Sequence, residues 1–267
     1  MLRQIIVIAL FALVTLPLMP LQWLAVALKS PLRRSIPVFY HRFLCRLLGI
    51  RVHRSGAPVR MRPLLIVANH SSWLDISIIT AQAPVVFVAK SEIARWPFFG
   101  LLAKLQRTVF VERDRRQKTG EVNAAIAQRL AEGDPVLLFG EGTAGDGNRV
   151  LPFRSALIGA ARDALAAAGD AREIWIQPLS IAYLSQQGIP LGRHLRPRCA
   201  WYGKMKLVPH IGGIARTGAI DAVVTWGEPI AYDGQTDRKV LAKNLESAVR
   251  AFTVTALRGK PPVADVR

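Results

Sequence analysis

Residues 64–75 read Leu64-Leu65-Ile66-Val67-Ala68-Asn69-His70-Ser71-Ser72-Trp73-Leu74-Asp75, an unbroken aliphatic run that turns polar within one position. A short run rich in branched aliphatic side chains reads as a buried strand. The loop at the end of such a strand is a place for chemistry, because the strand fixes the backbone while the loop opens to a cleft. His70 stands at that end, and Asp75 follows five residues later. A histidine titrates near neutrality and removes a proton from a hydroxyl; a carboxylate behind it fixes the tautomer and stabilises the imidazolium. The same residues carry a second reading, since Ser72-x-x-Asp75 fits a capping box for a helix that begins at Trp73. On a helix with ~3.6 residues per turn a separation of five places side chains on different faces, so pairing requires His70 to lie outside the helix.

Downstream, apolar runs alternate with helical periodicity. Strands are expected at 85–89, 108–111, 136–139, 174–182 and 221–226, and helices at 119–132, 155–168 and 238–257. The segment 96–103 reads as a short apolar helix or loop, and 186–213, rich in Gly, Pro and Arg, as a long surface excursion. This alternation predicts an α/β fold with a single central sheet flanked by helices.

Two further strand ends carry polar clusters. Phe110-Val111-Glu112-Arg113 places an arginine where it can hold a phosphate bidentately; with Arg115 and Arg116 beside it, a solvated basic loop is the competing reading. Gly140-Glu141-Gly142-Thr143-Ala144-Gly145 matches a dinucleotide fingerprint in letters only, because the loop runs on to Pro152 instead of opening a helix at its last glycine. Glycines there suit the close approach of backbone N–H groups to an anion or oxyanion, or simply a wide turn.

The chain has 267 residues, 51% hydrophobic, with a formal net charge of +18. Such a composition excludes a disordered chain. Cys45 and Cys199 provide neither a disulfide framework nor metal-ligand spacing. Residues 4–28 carry no charge, and ~20 apolar residues suffice to cross a bilayer. Pro17 and Pro20 offer a different outcome, two short helices lying in the interface. A signal peptide is disfavoured by the length of the apolar run and the basic residues after it. Asp75 is the first acidic residue, preceded by Arg33, Arg34, Arg42, Arg46, Arg51 and other cations. This pattern fits an anionic membrane surface rather than nucleic acid, for which no helix-turn-helix, zinc finger or aromatic-basic sheet motif is present. The expected organisation is a hydrophobic anchor at 1–28, a basic connection at 29–59, a catalytic domain at 60–257 and a tail at 258–267.

Taken together, Asn69-His70-x4-Asp75, Phe110-Val111-Glu112-Arg113, Phe139-Gly140-Glu141-Gly142-Thr143 and Ile176-Gln177-Pro178-Leu179 resemble, in order and spacing, the four blocks of the bacterial 1-acylglycerol-3-phosphate (lysophospholipid) acyltransferase family over roughly residues 60–230. The resemblance implies transfer of an acyl chain from a thioester to a lysolipid hydroxyl. His70 and Asp75 would be catalytic, and Arg113, Glu141, Gly142, Thr143 and Arg154 would bind substrate. It also implies no metal or resident cofactor, an acyl carrier protein or coenzyme A thioester as donor, and the cytoplasmic side of a bacterial inner membrane as location. Glu141 is expected to organise Arg113 or Arg154. Three positions depart from the family pattern: Gly140 where proline is usual, Arg107 where glycine is usual, and Phe153-Arg154-Ser155-Ala156 as the segment after the third block. These departures fall in the acceptor blocks. Lysophosphatidate, giving phosphatidate, is the default acceptor, with Arg107, Arg113 and Arg154 supplying positive charge. Lyso-ornithine lipid is the alternative, suggested by Ala89-Lys90-Ser91-Glu92 and Leu105-Gln106-Arg107-Thr108. The rival of another class is a non-catalytic basic membrane-binding protein.

Overall fold

The structure is a computed structural model that describes residues 1–111, 119–156, 165 and 173–259. Among these residues nine strands form one sheet in the order β1-β8-β6-β2-β5-β3-β4, with β7 and β9 also paired to β6. The strands are β1 Ile50–Ser55, β2 Leu64–Ala68, β3 Val86–Lys90, β4 Val109–Val111, β5 Val136–Phe139, β6 Ile174–Gln186, β7 Ile189–Pro190, β8 Ile220–Trp226 and β9 Ile230–Tyr232. β2 lies at the centre, parallel to β5 on one side and β6 on the other, and all five of its residues are buried. Leu64, Ile66 and Ala68 join one core while Leu65 and Val67 join the other, the two-residue alternation of a strand covered on both faces.

Helices α1 Leu2–Ala27, α2 Leu32–Leu48, α3 Leu74–Thr80 and α6 Leu207–Thr217 contribute to the first core. α5 Thr119–Ala131 and α7 Arg238–Leu257 contribute to the second, and α4 Phe99–Leu105 comes after a 3-10 turn at Ser91–Arg95. The α/β architecture with a central sheet is thus as expected. The expected helix at 155–168 falls largely outside the described residues, as does Arg113.

Three stretches differ from the sequence reading. Pro17 and Pro20 sit inside one continuous helix, α1, and do not divide it. Residues 29–59, expected to connect, contain α2 and β1, and β1 pairs in parallel with β8 at the edge of the sheet. The 186–213 excursion is not merely surface: Arg196, Cys199 and Ala200 within it are buried, and α6 overlaps its end.

α1 is fastened to the domain at both ends. Arg3 donates to the carbonyls of Ala215 and Leu48, at the C-terminal ends of α6 and α2, where a cation is favoured by the helix dipole. Gln22 donates from Nε2 to the carbonyls of Leu105, at the end of α4, and Arg33, at the start of α2.

Candidate active site

β2 ends at Ala68, and Asn69 anchors the turn out of the sheet: its amide donates to the carbonyl of Ile181 and accepts from the N–H of the same residue, both at 2.9 Å. His70 therefore leaves the sheet at a set angle, outside α3. Its Nδ1 lies 2.8 Å from Oδ2 of Asp75, in the first turn of α3. The same Oδ2 accepts the N–H groups of Ser71 at 2.8 Å and Ser72 at 3.0 Å. Asp75 thus pairs with His70 and, by accepting the Ser72 N–H, supplies the acidic half of the expected capping box; the other half does not form, since the helix begins at Leu74 and Ser72 Oγ meets the N–H of Leu74 at 3.4 Å instead of that of Asp75. Its other oxygen accepts the hydroxyl of Tyr183 at 2.5 Å. With every Asp75 bond arriving as a donor to a carboxylate, Nδ1 is assigned the proton and Nε2 is left with its lone pair.

The imidazole is held from the side as well. It stacks on Phe139 with ring centroids 3.9 Å apart and planes 16° from parallel. From the backbone, the N–H of His70 donates to Oε2 of Glu141 at 3.0 Å, and the N–H of Leu151 donates to Oε1 at 2.8 Å. Glu141 is buried, and this desolvation pushes its carboxyl up to about 8 against the pull of the two amide donors. It joins the end of β2 to the far side of the glycine loop. Among the described residues its bonds go to backbone, not to Arg154, whose side chain is exposed and whose N–H donates to the carbonyl of Gly140.

The glycine loop is a built turn. Gly142, at φ +68°, donates its N–H to the carbonyl of Phe139, and Gly145 donates to the carbonyl of His70. Thr143 and Ala144 lie between these two and line the cavity beside His70. Gly140 has a steric reason: a Cβ there would meet the Phe153 ring at 2.6 Å.

Arg107 does not line the cavity beside His70. It is buried at φ +64°, in the left-handed region that glycine adopts freely, and is ion-paired to Glu132 and, at 2.5 Å, to Asp134. Its expected role in acceptor charge gives way to an internal ion pair between the start of β4 and the turn before β5.

His70 opens onto a cavity of about 600 Å³, lined by Phe11 and Met19 of α1, Tyr40 of α2, Trp73, Phe139 and Trp201 among others. The lining is mainly apolar, as expected of a lipid-chain site. The lining also holds hydrogen-bonded polar pairs, Thr15 with Tyr40 at 3.0 Å and His41 with Ser77 at 3.1 Å. Burial lowers His41 to about 4, so it is neutral there. No group of three or more His, Cys, Asp or Glu side chains among the described residues is placed to hold a metal ion.

Three participants escape the sequence reading. Tyr183 is a polar-tipped residue in a mainly apolar strand. Arg196 bridges the carbonyls of Tyr183 and Leu191 to Oδ1 of Asn148 in the glycine loop. Trp201 donates its N–H to the carbonyl of Ser71 at 2.7 Å, seating the 186–213 segment on the His70 loop. None has a local sequence signal, because each acts across elements far apart in the chain.

The chain is similar to known acyltransferases. A family model described as Acyltransferase matches residues 49–182. A lyso-ornithine lipid O-acyltransferase of Brucella abortus is 48% identical over 97% of this chain and 96% of its own. A 1-acyl-sn-glycerol-3-phosphate acyltransferase of Neisseria gonorrhoeae is 38% identical over 44% of this chain and 46% of its own. The crystal structure of the 1-acyl-sn-glycerophosphate acyltransferase of Thermotoga maritima shares the fold, with a TM-score of 0.65 over 98% of this chain and 99% of that one at 19% identity.

Proposed function

The chain belongs to the acyltransferase family, and from that premise we propose that it carries an acyl chain from a thioester to the free hydroxyl of lyso-ornithine lipid. The observation that carries the catalytic reading is the His70–Asp75 pair at the mouth of an apolar cavity of about 600 Å³. Nε2 of His70 takes the hydroxyl proton as the oxygen attacks the thioester carbonyl. Asp75 offsets the imidazolium that forms. The tetrahedral oxyanion is met by the loop amides at Thr143 and Ala144. Collapse breaks the C–S bond, and His70 returns its proton to the departing thiolate. The acyl chain lies in the cavity under α1 and α2. The donor is an acyl carrier protein or coenzyme A thioester, a co-substrate and not a resident cofactor. Both carriers are acidic, and a chain of net charge +18 attracts either.

Likeness over nearly the full length to the Brucella abortus relative supports lyso-ornithine lipid as acceptor. The withdrawal of Arg107 into an internal ion pair supports it too, since one cation expected for a phosphate is already used. Lysophosphatidate is the second reading, favoured by the Phe110-Val111-Glu112-Arg113 block and by the match to the Neisseria gonorrhoeae relative. The test is a thiol-release assay with purified full-length protein, one acyl-thioester and each acceptor at equal concentration. Lyso-ornithine lipid is expected to give the larger kcat/KM by more than about tenfold, about 1.4 kcal/mol of transition-state preference. The reverse ratio assigns lysophosphatidate, and no thiol release with any lysolipid overturns the enzymatic reading.

The setting is the cytoplasmic face of an inner membrane, with α1 lying in the interface. At 1.5 Å per residue α1 is about 39 Å long, enough to span. Yet Arg3 and Gln22 tie both its ends to the same domain, which a helix crossing to the far side of a bilayer could not keep.

A further inference from the structure

We propose that the catalytic domain carries a membrane-docking rim of its own around the cavity mouth, formed by residues 95–104 and 201–208, and that its partner is an anionic bilayer surface. The inference rests on the interfacial membrane setting of α1 and adds to it a second contact outside that helix.

The apolar outer face of α1 does not end at α1. Phe11 packs edge-on against Phe98 at 5.9 Å, and Phe98 against Phe99 at 5.6 Å, so the surface runs on to α4. Beyond the mouth, Trp96 meets Trp201 edge-on at 6.0 Å, joining the turn before α4 to the loop before α6. Along this rim, large apolar side chains face solvent: Phe98 at 37%, Leu101 at 48%, Met205 at 39% and Val208 at 72% exposure. Single exposed apolar residues need no explanation, but a contiguous group beside an apolar helix marks an interaction surface.

The rim is also charged with one sign. Arg95, Lys104, Lys204 and Lys206 are exposed within it. Met205 stands between two lysines at the tip of a loop that Trp201 closes, its indole N–H donating to the carbonyl of Met205 at 2.9 Å. A tip of one apolar side chain flanked by lysines, with tryptophans one step back, is the composition that settles at headgroup depth. A protein partner is the weaker fit, because the patch continues into the lipid-facing surface of α1 and surrounds the opening through which lipid substrates enter. The consequence is lateral entry from the bilayer: acceptor and product need not leave the membrane to reach His70.

The test uses full-length protein bound to vesicles of phosphatidylglycerol and phosphatidylcholine. Met205→Cys and Val208→Cys are spin-labelled one at a time, with Ser247→Cys on α7, over the opposite face of the sheet, as reference. The native cysteines are both buried and should label poorly. Labels at 205 and 208 are expected to be relaxed by oxygen dissolved in lipid and shielded from an aqueous nickel chelate, and the label at 247 the reverse. In parallel, Lys204→Gln with Lys206→Gln should raise KM for vesicle-borne acceptor by about tenfold or more when the lipid is anionic, and leave turnover of detergent-dispersed acceptor unchanged. Labels at 205 and 208 as accessible to the chelate as that at 247, on protein that does bind vesicles, overturn the rim alone. Failure of the full-length protein to bind vesicles overturns both the rim and the membrane setting. The labelling outcome does not depend on which lysolipid is the acceptor.

Discussion

Asp75 accepts from His70 Nδ1, from the N–H groups of Ser71 and Ser72, and from Tyr183, so its effect on catalysis is separable from its effect on folding only by conservative change. His70→Ala removes the base and should lower kcat by about 10²–10⁴-fold while thermal unfolding stays near normal. Asp75→Asn should fall in the same range, since an amide neither fixes the tautomer nor offsets the imidazolium; a near-normal rate would leave helix closure as its only role. Tyr183→Phe deletes a bond to a charged group, a change of about 1.5–3 kcal/mol. Without that donor the carboxylate is held by fewer bonds, so kcat should fall while KM stays near normal. A loss of stability with an unchanged kcat would show that Tyr183 only packs. Glu141 gives a different dependence. Its ordinary value of 4.5 is raised to about 8 by burial, so the folded protein holds a proton that the unfolded chain releases. The stability it contributes is full below 4.5 and is lost as pH rises towards 8. Glu141→Gln should abolish that decline: its stability should lie about 1–3 kcal/mol below the parent's at low pH, because a Gln amide can accept only one of the two N–H groups, and the gap should close as pH rises towards 8. Chemical denaturation at several pH values measures both.

At the scale of elements, the site is the meeting of β2, the glycine loop and β6, and only the first was readable in full. Residues 64–68 could be nothing but a buried strand, and a strand end made His70 conspicuous; α7 likewise declared itself by periodicity and appears at Arg238–Leu257. α2 was missed because it carries Arg33, Arg34, His41, Arg42 and Arg46, and its buried side chains, such as Leu44, Cys45 and Leu48, form a narrow stripe. α6 was missed because it contains Pro209, Gly212 and Gly213, which break a sequence pattern but are tolerated in its early turns and packed middle. The ion pair of Arg107 with Glu132 and the bond of Tyr183 to Asp75 join residues 25 and 108 positions apart, distances over which sequence carries no register. Gly140 shows how an element-level departure can be tested. A methyl group there would strike the Phe153 ring, which sits in the core beneath α7 and precedes Arg154. Gly140→Ala should cost about 1–3 kcal/mol through overpacking. The displaced Phe153 should also carry the next residues with it, so KM for acceptor is expected to rise more than KM for donor; equal changes would unlink this segment from acceptor binding.

For the whole molecule, two features act together: a net charge of +18 and an apolar helix that walls the cavity and that we propose as the membrane contact. The charge predicts that kcat/KM with an acyl carrier protein donor falls steeply between about 0.01 and 0.1 M ionic strength, where the screening length shrinks from about 30 to about 10 Å. A flat salt profile would mean that docking of the donor is not steered by the field of the protein. The helix makes deletion of residues 1–28 more than a release of the protein from lipid. Phe11, Thr15, Met19 and Gln22 line the cavity, and Arg3 and Gln22 cap or tie the ends of α2, α4 and α6. Without them the acyl chain would lie against water on one side, and the carbonyls that Arg3 and Gln22 satisfy would have to find solvent. The truncated protein should therefore change from salt-resistant to salt-extractable membrane association, and should also lose most of its kcat/KM in detergent solution, where anchoring no longer matters. Full activity in detergent would show that α1 anchors without forming the site. Unchanged membrane fractionation would show that the rest of the domain, its basic rim included, suffices to hold the protein at the bilayer.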